Sequence, residues 1–449
     1  MNRTLPTPPL RRQPALLKRL FEDPSPVLDE LRTTLGPIYG LGGGPVRMAV
    51  IGDPTALREL FAMPPESFRW NHKFNVLGFV VGPRSMIVSD GPDHTRRRGS
   101  VQTAFSRRRL NGWIPTIVER TDVAIDRVLA GLPGDGSAID MYPVGRALVL
   151  DIVVRSLFGE RMAAQTTRIG DLFERPQAYL ESSFIRQLPH PLPRTRRAGV
   201  AADRRELDAL IDGEIEARRR APSGDPLDVL EALVVDGTLT DSEIRDQVAT
   251  LVGAGYDTTA ASLAWMLTRG ARAPDVWARL GSEADEVFGA STTVDHTTLA
   301  RLELADRMMR ETLRLHPAGV VSPREAAIDV TVGGYTIPRG TLILWSAHLA
   351  GRDPDAWPDP LEFRPDRFVD ATGDQRALAD IAWVPFGRGA RNCIGFALAQ
   401  MELTLIVARL AQRLRMSAEG PVQPPKGMVV NRPTGGAPMR VTARRPVGA

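Results

Sequence analysis

Apolar residues recur three and four positions apart along most of the chain, which is the period of amphipathic helices; only short stretches alternate as strands do. The strongest run spans about Asp241 to Gly270, where Ile244, Val248, Leu251, Val252, Gly255, Thr259, Leu263 and Met266 predict one long, buried helix. A second helical run, Met309-Arg310-Glu311-Thr312-Leu313-Arg314-Leu315, should end at His316, because Pro317 disfavours helix in the residue before it. Strand signals are few. Asp329 to Ile337 predicts a hairpin about Gly333-Gly334, Thr341 to Trp345 a further strand, and Ile38 to Ile51 a strand pair. The expected class is mainly α with a smaller β region. No linker, low-complexity tract or repeat breaks the pattern, so residues 1–449 are expected to form a single domain, with 1–20 as a flexible N-terminal segment.

Composition narrows the function classes. Hydrophobic residues make up 43% of the chain, enough for a large core. No stretch approaches the roughly 20 apolar residues of a membrane span. Met1 to Pro14 is rich in Pro and Arg and lacks the apolar centre of a signal peptide, so a reducing cytoplasm is expected. The net charge of +4 is carried almost wholly by arginine, lysine occurring only as Lys18, Lys73 and Lys426. These charges are interspersed with comparable numbers of acids and accompany no recognised binding motif, which argues against a nucleic-acid partner. The runs Arg96-Arg97-Arg98 and Arg107-Arg108-Arg109 read as solvated faces or as a dock for an acidic partner.

Two places break the helical pattern. Cys393 is the only cysteine, which excludes an internal disulfide or a multi-cysteine zinc site. It lies in Phe386-Gly387-Arg388-Gly389-Ala390-Arg391-Asn392-Cys393-Ile394-Gly395, where the glycines let backbone N–H groups approach a sulfur anion. Arg391 and the N-terminus of the helix expected to follow favour thiolate over thiol. Such a sulfur is either inert packing or a reactive or metal-ligating group. Neither His316 nor His348 stands in a pattern that suggests a base for it, which argues against a cysteine hydrolase. The second break is Ala254-Gly255-Tyr256-Asp257-Thr258-Thr259 inside the long helix, where glycine costs about 1 kcal/mol relative to alanine and Asp and Thr compete for backbone hydrogen bonds. Such violations mark either a site or close helix packing.

The pattern Phe-Gly-x-Gly-x-Arg-x-Cys-x-Gly resembles the heme-binding loop of the cytochrome P-450 family. The resemblance implies that Cys393 is the axial iron ligand of heme b, with Phe386 and Gly395 shaping the loop around it; a thiolate ligand favours O–O cleavage. Ala-Gly-x-Asp-Thr is similar to the family's oxygen-activation segment, which implies room for dioxygen at Gly255, a water-holding hydroxyl at Thr258 and proton relay by Asp257. Glu311 and Arg314 resemble the family's Glu-x-x-Arg, with Arg367 of Phe363-Arg364-Pro365-Asp366-Arg367-Phe368 as the third member of a buried brace. His94 and Arg98, four apart, match the family's propionate-binding helix, and Arg324 and Arg391 its other propionate cations. Gly351 departs from the asparagine that many relatives place before Arg-Asp-Pro, and the membrane anchor of many eukaryotic members is absent.

By family position the substrate pocket would be lined by Phe74, Val76, Leu77, Phe79, Met86, Phe184, Val252, Val320, Val321 and Val429, a lining that suits a lipophilic molecule. His72, Arg84 and Arg186 are either anchors for a polar group or exposed loop residues. The implied fold holds heme between the long distal helix and the proximal cysteine loop. The implied activity is that of a monomeric heme-thiolate monooxygenase, inserting one atom of O2 by hydroxylation or epoxidation. Without cysteines for an iron–sulfur cluster or a fused flavin domain, electrons would come from a ferredoxin with its ferredoxin reductase, or from a flavodoxin, docking near Arg96, Arg97 and Arg388. A peroxide-dependent peroxygenase of the same fold and a non-catalytic heme-based binding or sensing protein are the alternatives.

Overall fold

The computed structural model describes residues 3–72, 75–182, 187, 195–222, 228–289 and 294–444. The elements that position the site are helices α1 (Gln13–Glu22), α2 (Pro24–Leu35), α3 (Leu77–Val81), α4 (Gly91–Ala104), α5 (Arg107–Ala130), α6 (Met141–Ala163), α7 (Thr166–Leu180), α8 (Arg196–Arg220), α9 (Asp241–Gly270), α10 (Glu303–Leu315) and α11 (Phe396–Arg413). As the periodicity predicts, α9 is long and buried along most of its length. A capping box starts it: Thr240 Oγ1 accepts from the Glu243 N–H while the Glu243 carboxylate accepts from the Thr240 N–H. It packs along α6 and against α11, the helix that follows the cysteine loop.

The largest sheet has five strands in the order β1 (Ile38–Leu41), β2 (Met48–Ile51), β7 (Leu342–Trp345), β4 (Ser322–Ala326), β3 (Phe68–Arg69), antiparallel except for the β2–β7 pair. The predicted hairpin is β5 (Val330–Val332) with β6 (Tyr335–Ile337), and Gly333 and Gly334 take the positive φ that a two-residue turn of this kind requires. One expectation is corrected here. Residues 1–20 include most of α1, whose Leu16 and Leu20 are buried in a cluster with Leu28, Leu31 and Val50. The reason is the apolar Leu16/Leu20 pair at i, i+4, a stripe that the surrounding Pro and Arg residues obscured in the sequence.

The brace expected from Glu311, Arg314 and Arg367 is fully assembled. Arg314 donates to both Glu311 oxygens at 2.8 and 2.9 Å, and Arg367 Nε donates to Glu311 Oε1 at 2.8 Å. The remaining guanidinium N–H groups meet the carbonyls of Gly351, Pro358, Asp359, Pro360 and Glu362, so two buried cations share one carboxylate and a ring of backbone dipoles. This ties the segment leading to the cysteine loop onto α10. Gly351 takes part through its backbone: its carbonyl accepts from Arg314 Nη1 at 2.6 Å, and a Cβ there would lie 2.3 Å from the Arg314 carbonyl oxygen. A side chain has no room at that position.

Two buried histidines make the fold sensitive to acid. His316 stacks on Trp265 with ring centroids 3.8 Å apart, and its Nε2 receives Arg269 N–H groups at 3.0 and 2.8 Å. Because a guanidinium can only donate, Nε2 must be an acceptor and the ring must be neutral. His348 is likewise buried, and burial beside Arg352 lowers it to about 4. Both pKa values lie below the unfolded value near 6.5, so their contribution is intact above pH 6.5 and is lost as pH falls through the folded values. Unfolding free energy should therefore fall between about pH 6.5 and 4.5 by roughly 1.4 kcal/mol per unit per histidine. Denaturant titrations across that range, repeated with His316→Gln, should give a visibly shallower pH slope in the variant.

Candidate active site

The glycines of the cysteine loop are required by its course. Gly387 and Gly389 have φ of +66° and +73°, and a Cβ on Gly389 would sit 2.7 Å from the Phe61 carbonyl oxygen. The loop closes with the Cys393 N–H donating to the Phe386 carbonyl at 2.8 Å, and the Phe386 ring packs edge-on against Phe396, the first residue of α11, at 4.8 Å. Cys393 is exposed, yet protein atoms pack around it closely enough that burial pushes its thiol pKa up. The Gly395 N–H and the Arg98 guanidinium oppose the effect of burial and favour the anion.

A set of cations gathers above the loop. Arg98 Nη2 donates to Asn392 Oδ1 at 2.8 Å, and Arg391 Nη2 donates to the Ser89 carbonyl at 2.7 Å. Arg324 is buried, and burial together with Arg391 lowers it to about 10; Arg391 is lowered to about 10 by burial, with Arg98 adding to the effect. His94 falls to about 4 from burial, with Arg391 and Arg98 opposing its protonation. The Nε atoms of Arg324 and Arg391 are buried without hydrogen-bond partners. Clustered, repelling and partly unsatisfied cations beside a sulfur whose anion Gly395 and Arg98 favour against burial are a donor set suited to a dianionic metal macrocycle with a sulfur ligand. These residues therefore fit heme. Trp70, which the sequence reading missed, lies under this cluster, with the Arg391 guanidinium 3.9 Å and the Arg324 guanidinium 5.2 Å from its ring centroid.

Along α9 the exposed position is Ala254, with Thr258 half-buried one turn on and its Oγ1 donating to the Ala254 carbonyl at 2.6 Å. That back-bond is the local distortion expected of Thr258. The space expected at Gly255 is not on that face: a Cβ there would make ordinary contact with Val153 of α6 at 3.7 Å, because one residue of helix rotates the position by about 100°. Asp257 is buried against α6 and α7. Gln177 donates to its Oδ2, and Arg146 Nε lies 3.8 Å from Oδ1, both of these last atoms being without hydrogen-bond partners. Arg146 also donates to the Tyr256 hydroxyl and to Gln177. Burial raises the Asp257 pKa and outweighs the opposing Arg146 charge, whereas at Arg146 the surrounding phenols and acid outweigh burial. A lone arginine in the apolar run Val144 to Leu150 was the sequence signal for Arg146.

The pocket positions divide. Val76, Leu77 and Phe79 are half-buried around α3, and Val429 is exposed. Met86 is buried, its N–H donating to Gln247 of α9 at 2.8 Å. Val252 and Val320 are corrected: at 0% and 1% exposure neither reaches open space, Val252 packing in the main core and Val320, with Val321, against α1 and α2. Phe74, Phe184 and Arg186 lie outside the described residues. In the docking run, Arg97 is buried, bonded to Glu243 and Ser89, and so is a structural residue; Arg388 is exposed, and Arg96 is partly exposed and paired with Glu243.

A mainly helical fold whose central helix and cysteine loop carry this constellation defines the heme-thiolate class of protein. The Cytochrome P450 family model matches residues 6–437, and the chain belongs to that family. It is 34% identical over 391 residues to cytochrome P450 139 of Mycobacterium tuberculosis, covering 84% of this chain and 87% of that one. It is 32% identical over 389 residues to a cyclooctat-9-en-7-ol 5-monooxygenase of Streptomyces melanosporofaciens, covering 83% and 81%. A retinoic-acid-bound cyanobacterial CYP120A1 has the same fold, with a TM-score of 0.84 at 24% identity over 99% of this chain and 100% of that one. The chain is an oxygen-incorporating oxidoreductase of the heme monooxygenase kind. Among the described residues no helix is long and apolar enough to cross a membrane.

Proposed function

We propose that this chain hydroxylates or epoxidises a lipophilic small molecule, using O2 and electrons from a separate ferredoxin with its reductase, or a flavodoxin. The observation that carries this reading is the exposed Cys393 thiol, favoured as an anion by Arg98 and the Gly395 N–H, in a loop whose Arg391 clusters with Arg98 and Arg324. Cys393 would ligate heme b, and His94, Arg98, Arg324 and Arg391 would hold its propionates. When bound, the heme supplies oxygen activation; a cysteine thiolate favours O–O cleavage over simple oxygen carriage. The protein works as a monomeric, single-domain cytoplasmic enzyme in this reading.

The residues of α9 supply protons. Thr258, bonded to the Ala254 carbonyl, presents a hydroxyl at the accessible face, where it can hold a water. Asp257, with its pKa raised by burial, takes up a proton more readily than a surface carboxylate does and can pass it on. Gln177 and Arg146 keep it oriented. Half-buried Val76, Leu77 and Phe79 give the substrate an apolar surface.

Retention of both the acid and the alcohol favours O2 over peroxide as oxidant. The test is turnover with a reductase and ferredoxin under 18O2, followed by mass spectrometry of products from a panel of terpenoid, steroid and fatty-acid substrates. Label in the product, with electron consumption, supports the reading; turnover with hydrogen peroxide alone at equal rate replaces it with the peroxygenase. Asp257→Asn should slow product formation by about 100-fold. Thr258→Ala should keep consuming electrons while most of the oxygen appears as hydrogen peroxide, measured as product formed per electron pair.

A further inference from the structure

Arg324 is a buried cation that no acid pairs with among the described residues, and its Nε has no hydrogen-bond partner. What surrounds it is aromatic. Its guanidinium carbon lies 5.0 Å from the ring centroid of Phe68, 5.2 Å from that of Trp70 and 5.4 Å from that of Phe61, all inside the roughly 6 Å reach of a cation–π contact. Strand register brings two of these rings there. β3 runs antiparallel to β4 with Phe68 opposite Ala326 and Arg69 opposite Glu325, so the next residue, Trp70, falls opposite Arg324. Side chains opposite each other share one face of a sheet, and Phe68, two residues back, shares it too. Phe61 comes from the helix Pro54–Ala62, and its carbonyl oxygen is the atom that leaves Gly389 no room for a Cβ, so the third ring is carried by a residue seated against the cysteine loop.

Trp70 also serves Arg391, whose guanidinium carbon lies 3.9 Å from its ring centroid. Asp90 clips the pair together. Its Oδ1 accepts the Trp70 N–H at 2.9 Å and lies 3.3 Å from Arg391 Nη2, while its Oδ2 accepts the Asn71 N–H at 3.1 Å. Two like charges thus share one ring. Burial without a counter-charge destabilises a guanidinium, and the electron-rich face of an aromatic ring offsets part of that cost without using an N–H. A carboxylate in place of the rings would balance the charge but would also occupy the donors. The rings leave them open.

We propose that Trp70, Phe68 and Phe61 are positioning residues, an aromatic cage that holds Arg324 with its N–H donors reserved for a carboxylate of the bound porphyrin, and that Trp70 fixes Arg391 beside it for the same purpose. The proposal deepens the heme reading and rests on it. Its consequence is selective: Trp70 contributes to porphyrin retention only while the porphyrin carboxylates are free, because the cage acts through the cations and not through the macrocycle.

Esterification separates that role from ordinary packing. The protein is reconstituted with hemin or with hemin dimethyl ester, mixed with excess apomyoglobin, and loss of porphyrin is followed by absorbance. Trp70→Leu should quicken the loss of hemin by about tenfold, the scale of one or two cation–π contacts, and the loss of the dimethyl ester by less than about twofold. Trp70→Phe, which keeps a ring, should retain hemin to within about threefold of wild type. On an Arg324→Gln background the effect of Trp70→Leu on hemin should shrink, because one of the cations it serves is gone. In resonance Raman spectra of the hemin-loaded protein, the propionate bending band should shift in Trp70→Leu while the iron–sulfur stretch stays in place. Equal quickening for the two porphyrins, which a general loosening of the fold would give, overturns the proposal. A wild-type protein that takes up neither porphyrin overturns the heme reading and the cage together, whereas thiolate-ligated hemin that Trp70→Leu releases no faster overturns the cage alone.

Discussion

Loaded with heme, reduced and exposed to carbon monoxide, the wild-type protein should give a strongly red-shifted Soret band, and Cys393→Ser should abolish it. A serine hydroxyl is a far weaker anion than a thiolate, and the loop is built for the sulfur: the Gly395 N–H and Arg98 both favour its charged form. The fold should survive, since Phe386, Phe396 and the closing bond from the residue 393 N–H do not depend on the side chain. Circular dichroism and thermal unfolding of the heme-free variant should match wild type, while monooxygenase turnover should fall by at least about 1,000-fold, the scale expected when the group that activates the reaction is removed. A red-shifted band that persists in the variant would show that the iron takes its axial ligand elsewhere.

Glu311→Gln should be the most destabilising single substitution outside the hydrophobic core. It removes the one carboxylate shared by Arg314 and Arg367 and leaves two buried guanidiniums facing only carbonyl dipoles. Stranding buried charge in this way costs about 3–5 kcal/mol, a large part of the 5–15 kcal/mol that holds a typical domain together. Arg367→Ala should cost a similar amount, and the double variant much less than the sum, because the second change relieves part of the first. Exposed Arg388, changed to Gln, should move stability by no more than about 0.5 kcal/mol. Denaturant unfolding of the four proteins provides the comparison. Additive losses at Glu311 and Arg367 would mean that they do not form one unit.

The brace also shows how reading the chain and seeing the fold divide the work. Glu311 and Arg314 are three residues apart on one helix, so their pairing follows from helical geometry. Nothing in the spacing says that they are buried. That depends on a segment from Gly351 to Arg367 folding back over α10 and presenting five carbonyls. The same holds at Gly255, where the spacing marks an unusual position but only the packing of α6 reveals that the glycine faces Val153 and that Ala254 faces the open side. Arg96 and Arg97 are adjacent and chemically identical in sequence, yet the helix turns one toward Glu243 and Ser89 in the interior and leaves the other partly exposed.

The chain by itself determined what local chemistry and periodicity can carry: a mainly helical fold, the length and burial of α9, the hairpin at Gly333-Gly334, the glycine-rich loop around one cysteine, and the acid–alcohol step at Asp257-Thr258. Tertiary structure decided which groups meet those residues. Trp70 beneath Arg391 and Arg324, Arg146 and Gln177 at Asp257, and Arg432 beside Glu181 come from helices, loops and strands far apart in the chain. Their convergence depends on how amphipathic faces pack against one another, and hydrophobic packing is non-directional, so residue spacing holds no record of its outcome.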